Sequence, residues 1–106
     1  MVVPVIDIAV NTRENGEGFT CIFQTKILKY GIPLSEQLVD INTKYVVKWC
    51  FDLETGGIEI PSNCILEFDG GQISNGSIHW SSTKIHNPYK YDILVNITES
   101  GTKIVL

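Results

Sequence analysis

Apolar and polar side chains alternate with a period of two over much of the chain, the spacing of strands that bury one face. In YVVKWCFDL, Tyr45, Val47, Trp49, Phe51 and Leu53 fall on one side, and Val46, Lys48, Cys50 and Asp52 on the other. Ile58 and Ile60 continue the alternation up to Pro61. Cys64, Leu66 and Phe68 then resume it, with Ile65, Glu67 and Asp69 facing away. Ile93, Val95 and Ile97 predict a further strand, after which Ser100-Gly101 reads as a two-residue turn returning Lys103 to Leu106 as a hairpin. Helical signals are few: Ser35, just after Pro33, is placed to cap one turn through Glu36, Gln37, Leu38 and Val39. So short a helix needs packing to persist. The pattern predicts an all-β chain.

Two segments repeat one another. FDLETGGIEI from Phe51 and LEFDGGQI from Leu66 each run apolar–acidic–apolar, then Gly-Gly, then Ile. The apolar pair Phe51 and Leu53 recurs as Leu66 and Phe68, and Gly56-Gly57 recurs as Gly70-Gly71, at nearly the same offset. ISNGSI is a weaker echo, with Asn75-Gly76 in place of the glycine pair. Short strands between tight glycine turns at a fixed period predict a short β-helix-like stack. Glycine supplies the positive φ of sharp corners and lets one rung lie directly on the next. The same dipeptides also suit two ordinary hairpins, and the pattern alone leaves both open. In the stacked reading the core and corners are Phe51, Leu53, Ile58, Ile60, Leu66, Phe68, Gly70, Gly71, Ile73, Gly76 and Ile78.

The N-terminal stretch differs in kind. Val2, Pro4, Ile6, Ile8 and Val10 occupy one phase, Val3, Val5 and Ala9 the other, and only Asp7 interrupts. A strand apolar on both faces is either central in a sandwich or covered by a neighbouring subunit. Pro4 weakens the central option because it removes a ladder donor. NTRENGEG then reads as a turn and FTCIFQTKIL as a second strand. The expected organisation is an N-terminal strand and attachment or oligomerisation segment over 1–43, a β-helix-like unit over 44–90 and a C-terminal hairpin over 91–106.

Composition narrows the classes. With 106 residues and 43% hydrophobic side chains, the chain fits one compact domain and not a disordered segment. A core this small must offset roughly 1.5 kcal/mol of conformational entropy per ordered residue, so small domains need a staple. Cys21, Cys50 and Cys64 form an odd set without a CxxC pair, which points to free thiols of a reducing compartment and away from a disulfide framework or metal site. Other subunits are the staple that remains. The net charge of −4 and scattered basic residues argue against nucleic acid. Asp7 and the lack of a preceding Lys or Arg make the N-terminus a poor signal peptide, and no stretch has the length of a membrane span.

KYVVKWCFDLETGGIEIPSNCILEFDGGQISNGSIHW, residues 44–80, resembles the unit that opens right-handed β-helix, pectate-lyase-like regions in fibre and appendage proteins of phages infecting gut Bacteroidetes, the crAss-like phages among them. The matching features are the Phe51-Asp52-Leu53 strand, the passage through Pro61, Gly70-Gly71 and Asn75-Gly76; GIPLSEQLVDINTKY resembles the lead-in to that unit. The resemblance implies a virion structural protein, assembled in the bacterial host cytoplasm. A stack of few rungs exposes strand edges and cannot bury a continuous core alone. Three copies about a shared axis would cover both, with Val3, Val5, Ile6, Ile8, Ile104 and Leu106 as the subunit or capsid interface. Longer relatives continue through many further rungs beyond the position of Trp80, whereas here only the segment from Ser81 to Leu106 follows it. A capsid-attached head fibre or fibre adaptor is therefore expected in preference to a tail fibre. The expected partners are the chain itself, a capsid protein or another fibre protein.

Catalytic signals are weak. Asp52 and Glu67 alternate with core residues on what would be adjacent rungs, and a glycosidase needs two carboxyl groups across a cleft. No basic residue near them in sequence would serve a lyase, and charge is what an outer strand face needs for solubility. His79 and His86 lack a third ligand and read as surface residues, so no metal or cofactor is expected. Trp80, Tyr89 and Tyr91 either stack weakly on a sugar or cover the end of the core. The glycosylation acceptors at Asn75 and Asn96 carry no meaning without a secretory signal. A non-enzymatic role is expected, with a small carbohydrate-binding module and a truncated polysaccharide-degrading enzyme as the rival readings.

Overall fold

The computed structural model describes residues 22–106. The strands are β1 (Gln24–Ile27), β2 (Thr43–Val47), β3 (Cys50–Asp52), β4 (Gly57–Glu59), β5 (Ile65–Phe68), β6 (Gln72–His86) and β7 (Leu94–Val105), with one helical turn, α1 (Leu34–Gln37), between β1 and β2. Every pairing among them is parallel. Parallel neighbours need a crossover between them, and here the crossover is the coil itself. The chain winds into a three-sided β-solenoid of about four turns. Its first side stacks β1, β2, β5 and the ends of β6 and β7. The second stacks β3 on the starts of β6 and β7, and the third stacks β4 on their middles.

The register sets the repeat. Tyr45 lies beside Leu66, Ile73 beside Leu94 and Gly76 beside Ile97, so the same sequence offset separates each pair. The step from Leu66 to Ile85 is slightly shorter, and that from Phe51 to Ile73 slightly longer. The stacked reading therefore holds, but the closer spacing of the two glycine-punctuated segments does not measure a turn. It links segments on different sides, because Phe51 is on the second side and Leu66 on the first.

Side chains that share a level point the same way, so the core is a set of columns. Tyr45, Leu66 and Ile85 form one, Val47 and Phe68 another, Phe51 and Ile73 a third, and all are buried. Ile60, Cys64, Ile78 and Trp80 extend the interior, as do Leu28, Leu34 and Leu38, with Leu53 and Ile58 packed against it half-buried. Thr43 and Thr83 are fully buried, yet each hydroxyl is satisfied: Thr43 Oγ1 donates to Ile41 O at 2.9 Å, and Thr83 Oγ1 accepts from Ser81 N–H at 3.1 Å. Strict alternation fails at Trp49, which is exposed because the chain turns a corner at Lys48-Trp49 between β2 and β3.

Asparagine recurs at the corners. Asn42 and Asn63 are left-handed at one corner of successive turns, with φ of 56° and 55°, and Ser82 follows at 53°. Asn75 and Asn96 are left-handed at a second corner, above Glu54. Their side chains link the turns: Asn63 Nδ2 donates to Asn42 Oδ1 at 2.7 Å, and Asn96 Nδ2 to Asn75 Oδ1 at 3.0 Å. Asn tolerates this backbone region because its short polar side chain bonds locally. The glycines serve mainly for close approach. A Cβ at Gly71 would lie 2.6 Å from the carbonyl oxygens of Val47 and Trp49, and one at Gly76 would lie 2.3 Å from that of Gly56. Gly70, with φ of 95°, is the corner glycine of the expected set.

Three expectations need correction. The hairpin over 91–106 is absent: β7 runs parallel to β6 along its length, and Gly101, with φ of 78°, lies beside Trp80 within that strand. The turn signal at Ser100-Gly101 reflects how tightly the turns stack, since a Cβ on Gly101 would fall 2.0 Å from Trp80 O. The solenoid also extends past 44–90 at both ends, to β1 and β7. Finally, Ser35 does not cap α1. Pro33 stands at the N-cap, and Ser35 lies inside the turn. The apolar strand expected over 2–10, with Val3, Val5, Ile6 and Ile8, lies outside the described residues, as does Cys21.

Gly71→Ala is expected to cost about 2–3 kcal/mol in urea unfolding, because the obstacle is backbone and cannot move aside. Gly31→Ala meets open space and only a φ of 80°, so about 1 kcal/mol is expected there.

Candidate functional site

The sequence candidates do not converge. Trp80 is only 2% exposed and forms part of the core. Its indole Nε1–H donates to Glu99 Oε1 at 2.9 Å, while Lys103 Nζ sits 5.8 Å from the ring centre. Lys103 and, against burial, Trp80 hold the Glu99 carboxyl below its ordinary range. Trp80 thus cannot present a face to a sugar. Tyr91 is half-buried, and its hydroxyl accepts from Gly70 N–H at 2.9 Å and donates to Gly71 O at 2.7 Å, pinning a corner. Of this aromatic group Tyr89 alone is exposed.

Asp52 and Glu67 are on different sides of the coil: Asp52 pairs with Ser74, whereas Glu67 pairs with Val46 and His86. Asp52 is spent on local structure, accepting from Glu54 N–H at 2.7 Å and Asn75 Nδ2 at 3.2 Å. Glu67 does have basic neighbours, contrary to the expectation from sequence, because stacking brings Lys44 to 2.9 Å and His86 to 3.2 Å. Burial raises the Glu67 pKa, but these partners outweigh it and leave the carboxyl below its ordinary range. A general acid needs the opposite shift. His79 bonds Ser100 Oγ at 2.9 Å on the third side, away from His86 on the first. Among the described residues no group of three or more His, Cys, Asp or Glu is placed to hold a metal ion. Cys50 is exposed and Cys64 buried, both as free thiols, and burial pushes the Cys64 thiol up.

A groove lies elsewhere, where the first turn lifts away from the second. β3 and β4 pair with β6 on one edge and with no described strand on the other. Facing them are Tyr30–Pro33 and the start of α1, and the space between is about 440 Å³. Among the described residues Asp52 and Glu54 are the only charged ones lining it, beside Ser35, Cys50 and the apolar Ile32, Leu34, Phe51, Leu53 and Ile58. Tyr30 stands at its mouth, 74% exposed, with its ring centre 5.5 Å from that of Trp49 in an edge-on contact. The Tyr30 wall is fixed by one side chain. Gln37 accepts from Lys29 N–H at 2.7 Å and donates to the carbonyls of Lys29 at 3.1 Å and Ile32 at 2.7 Å.

Neither Tyr30 nor Trp49 is among the sequence candidates. Alternation assigns Trp49 inward, but no strand maintains its alternation across a coil corner. The signal for Tyr30 is its setting in KYGIP, an aromatic beside Gly and Pro at a turn. Compared with known protein families, curated proteins and solved structures, the chain matches none of them.

Two measurements check these assignments. Trp80→Ala is expected to lose about 3–5 kcal/mol of stability, the range for a large aromatic removed from a packed core; a change under about 1 kcal/mol would show that the indole is not core. The folded pKa of Glu67 is depressed, so its contribution is present above the unfolded-state pKa and is lost as pH falls through the folded value. Lys44→Met is expected to reduce stability at neutral pH and flatten its loss through the acidic carboxylate range, read from urea melts in a pH series.

Proposed function

We propose that the chain is a non-enzymatic virion structural protein, a short homotrimeric fibre or fibre adaptor attached to a phage capsid. The observation that carries the reading is apolar surface at both ends of the coil. At one end Phe23, Ile27, Val39 and Ile41 are exposed, and at the other Ile104, Val105 and Leu106. β1 and β7 are also edge strands, each with a single described partner. Uncovered edges with apolar side chains invite association. Cyclic symmetry closes such an association at a fixed number of copies. Ile104 lies beside Lys84 on the outer face of the first side, and Leu106 follows it in the same phase, which supports an interface between copies there. The resemblance of residues 44–80 to phage fibre units supports a virion setting for this assembly, on the head in preference to the tail.

The polysaccharide-degrading alternative loses its basis, because Asp52 and Glu67 do not face one another. A binding module built on Trp80 loses its platform. Light scattering on the gel-filtered chain is expected to give three times 11.8 kDa, about 35 kDa, and purified protein is expected to decorate isolated capsids. A monodisperse particle of single-chain mass would overturn the reading.

A further inference from the structure

We propose that the groove between the Tyr30–Ser35 segment and the β3–β4 corner binds a neutral saccharide, stacked on the Tyr30–Trp49 pair. The inference does not depend on the oligomeric state or on the virion assignment.

Three features select the ligand. The first is the aromatic pair, exposed at 74% and 46%. Tyr30 lines the groove and Trp49 stands against it; their contact is edge-on, with 63° between the ring planes, so it covers at most one ring face. Open aromatic faces suit a ligand that is apolar on one side and polar around its rim, which describes a pyranose ring. The second is the polar complement. Among the described residues the Glu54 carboxylate and the Ser35 hydroxyl take no protein partner, whereas Asp52 already accepts two hydrogen bonds. A carboxylate and a hydroxyl without a described partner, beside the apolar Ile32, Leu53 and Ile58, match the donating hydroxyls of a sugar. The third is rigidity. The three Gln37 bonds hold the backbone on both sides of Tyr30, so little conformational entropy is lost when a ligand docks.

The same features exclude other ligands. Among the described residues no Lys or Arg lines the groove, and the charges that do line it, Asp52 and Glu54, repel phosphates and other anions. An extended peptide would need a strand edge to pair with, and β3 and β4 are short strands broken by the corner between them. A cation held by aromatic faces needs them on several sides, and here they stand at one wall.

The test is titration of the full chain with a panel of neutral hexasaccharides of gluco, manno and galacto configuration, followed by tryptophan fluorescence and calorimetry. Trp49 is open to solvent and Trp80 is buried, so a ligand on the pair changes the exposed component of the emission alone. At least one member of the panel is expected to bind. Tyr30→Ala is expected to weaken it at least about tenfold, the loss of one stacking contact, and Glu54→Gln several-fold, both with unchanged thermal melts. Tyr89→Ala, also an exposed tyrosine, is expected to leave binding unchanged. Binding unaffected by Tyr30→Ala, binding abolished by high salt or displaced by free arginine, or no binding by any panel member would each overturn the proposal. None of these results bears on the trimer, so the two readings fail separately.

Discussion

A strand in a parallel coil has its backbone hydrogen bonds completed by the turns before and after it. This single constraint organises the molecule. It keeps the length of each turn nearly constant, because a longer or shorter turn would move inward side chains off their columns. It makes the corners recur at the same place in successive turns, where left-handed Asn42, Asn63, Asn75 and Asn96 turn the chain and tie one turn to the next. Among the described residues β1 and β7 each have a neighbour on one side only. Net stability of a small domain is a narrow margin between large opposing terms, so what covers the far sides of β1 and β7 matters to it.

The same constraint explains where a ligand site can arise. Along most of the coil each turn lies flush on the next, and Gly71 and Gly76 show how closely: neither has room for a Cβ. Over α1 and the Tyr30–Pro33 segment the first turn does not form strands, and the contact opens into the groove. Gln37 supplies locally the backbone bonds that a neighbouring strand would otherwise provide. Support for the proposed fibre and the proposed saccharide site thus comes from different parts of one architecture, its end strands and a parted turn.

Much of this was legible from residue order. Alternation around Cys64, Leu66 and Phe68 matches their burial, and the glycine-punctuated strands do stack. The repeat length was not legible from the glycines, because Gly56-Gly57 and Gly70-Gly71 sit at different corners of the triangle. Asparagine carried the better signal: Asn42 to Asn63 and Asn75 to Asn96 are equal steps, and both match the offset from Tyr45 to Leu66. Trp80 illustrates a different limit. Its alternation fits an inward side chain, yet what covers it, Glu99 and Lys103, arrives only when the next turn is laid on top. Glu67 gained Lys44 and His86 in the same way. Contacts between turns are invisible until the register is known.

The central claim is that the edges of this coil are covered by further copies of the chain. Residue-resolved amide hydrogen exchange on the native particle tests it most directly, because only half of the amides in an edge strand point toward the described partner. The account predicts that the β1 and β7 amides pointing away from β2 and β6 exchange as slowly as those of β5. Rapid exchange confined to that outward set, with β5 protected, would contradict it.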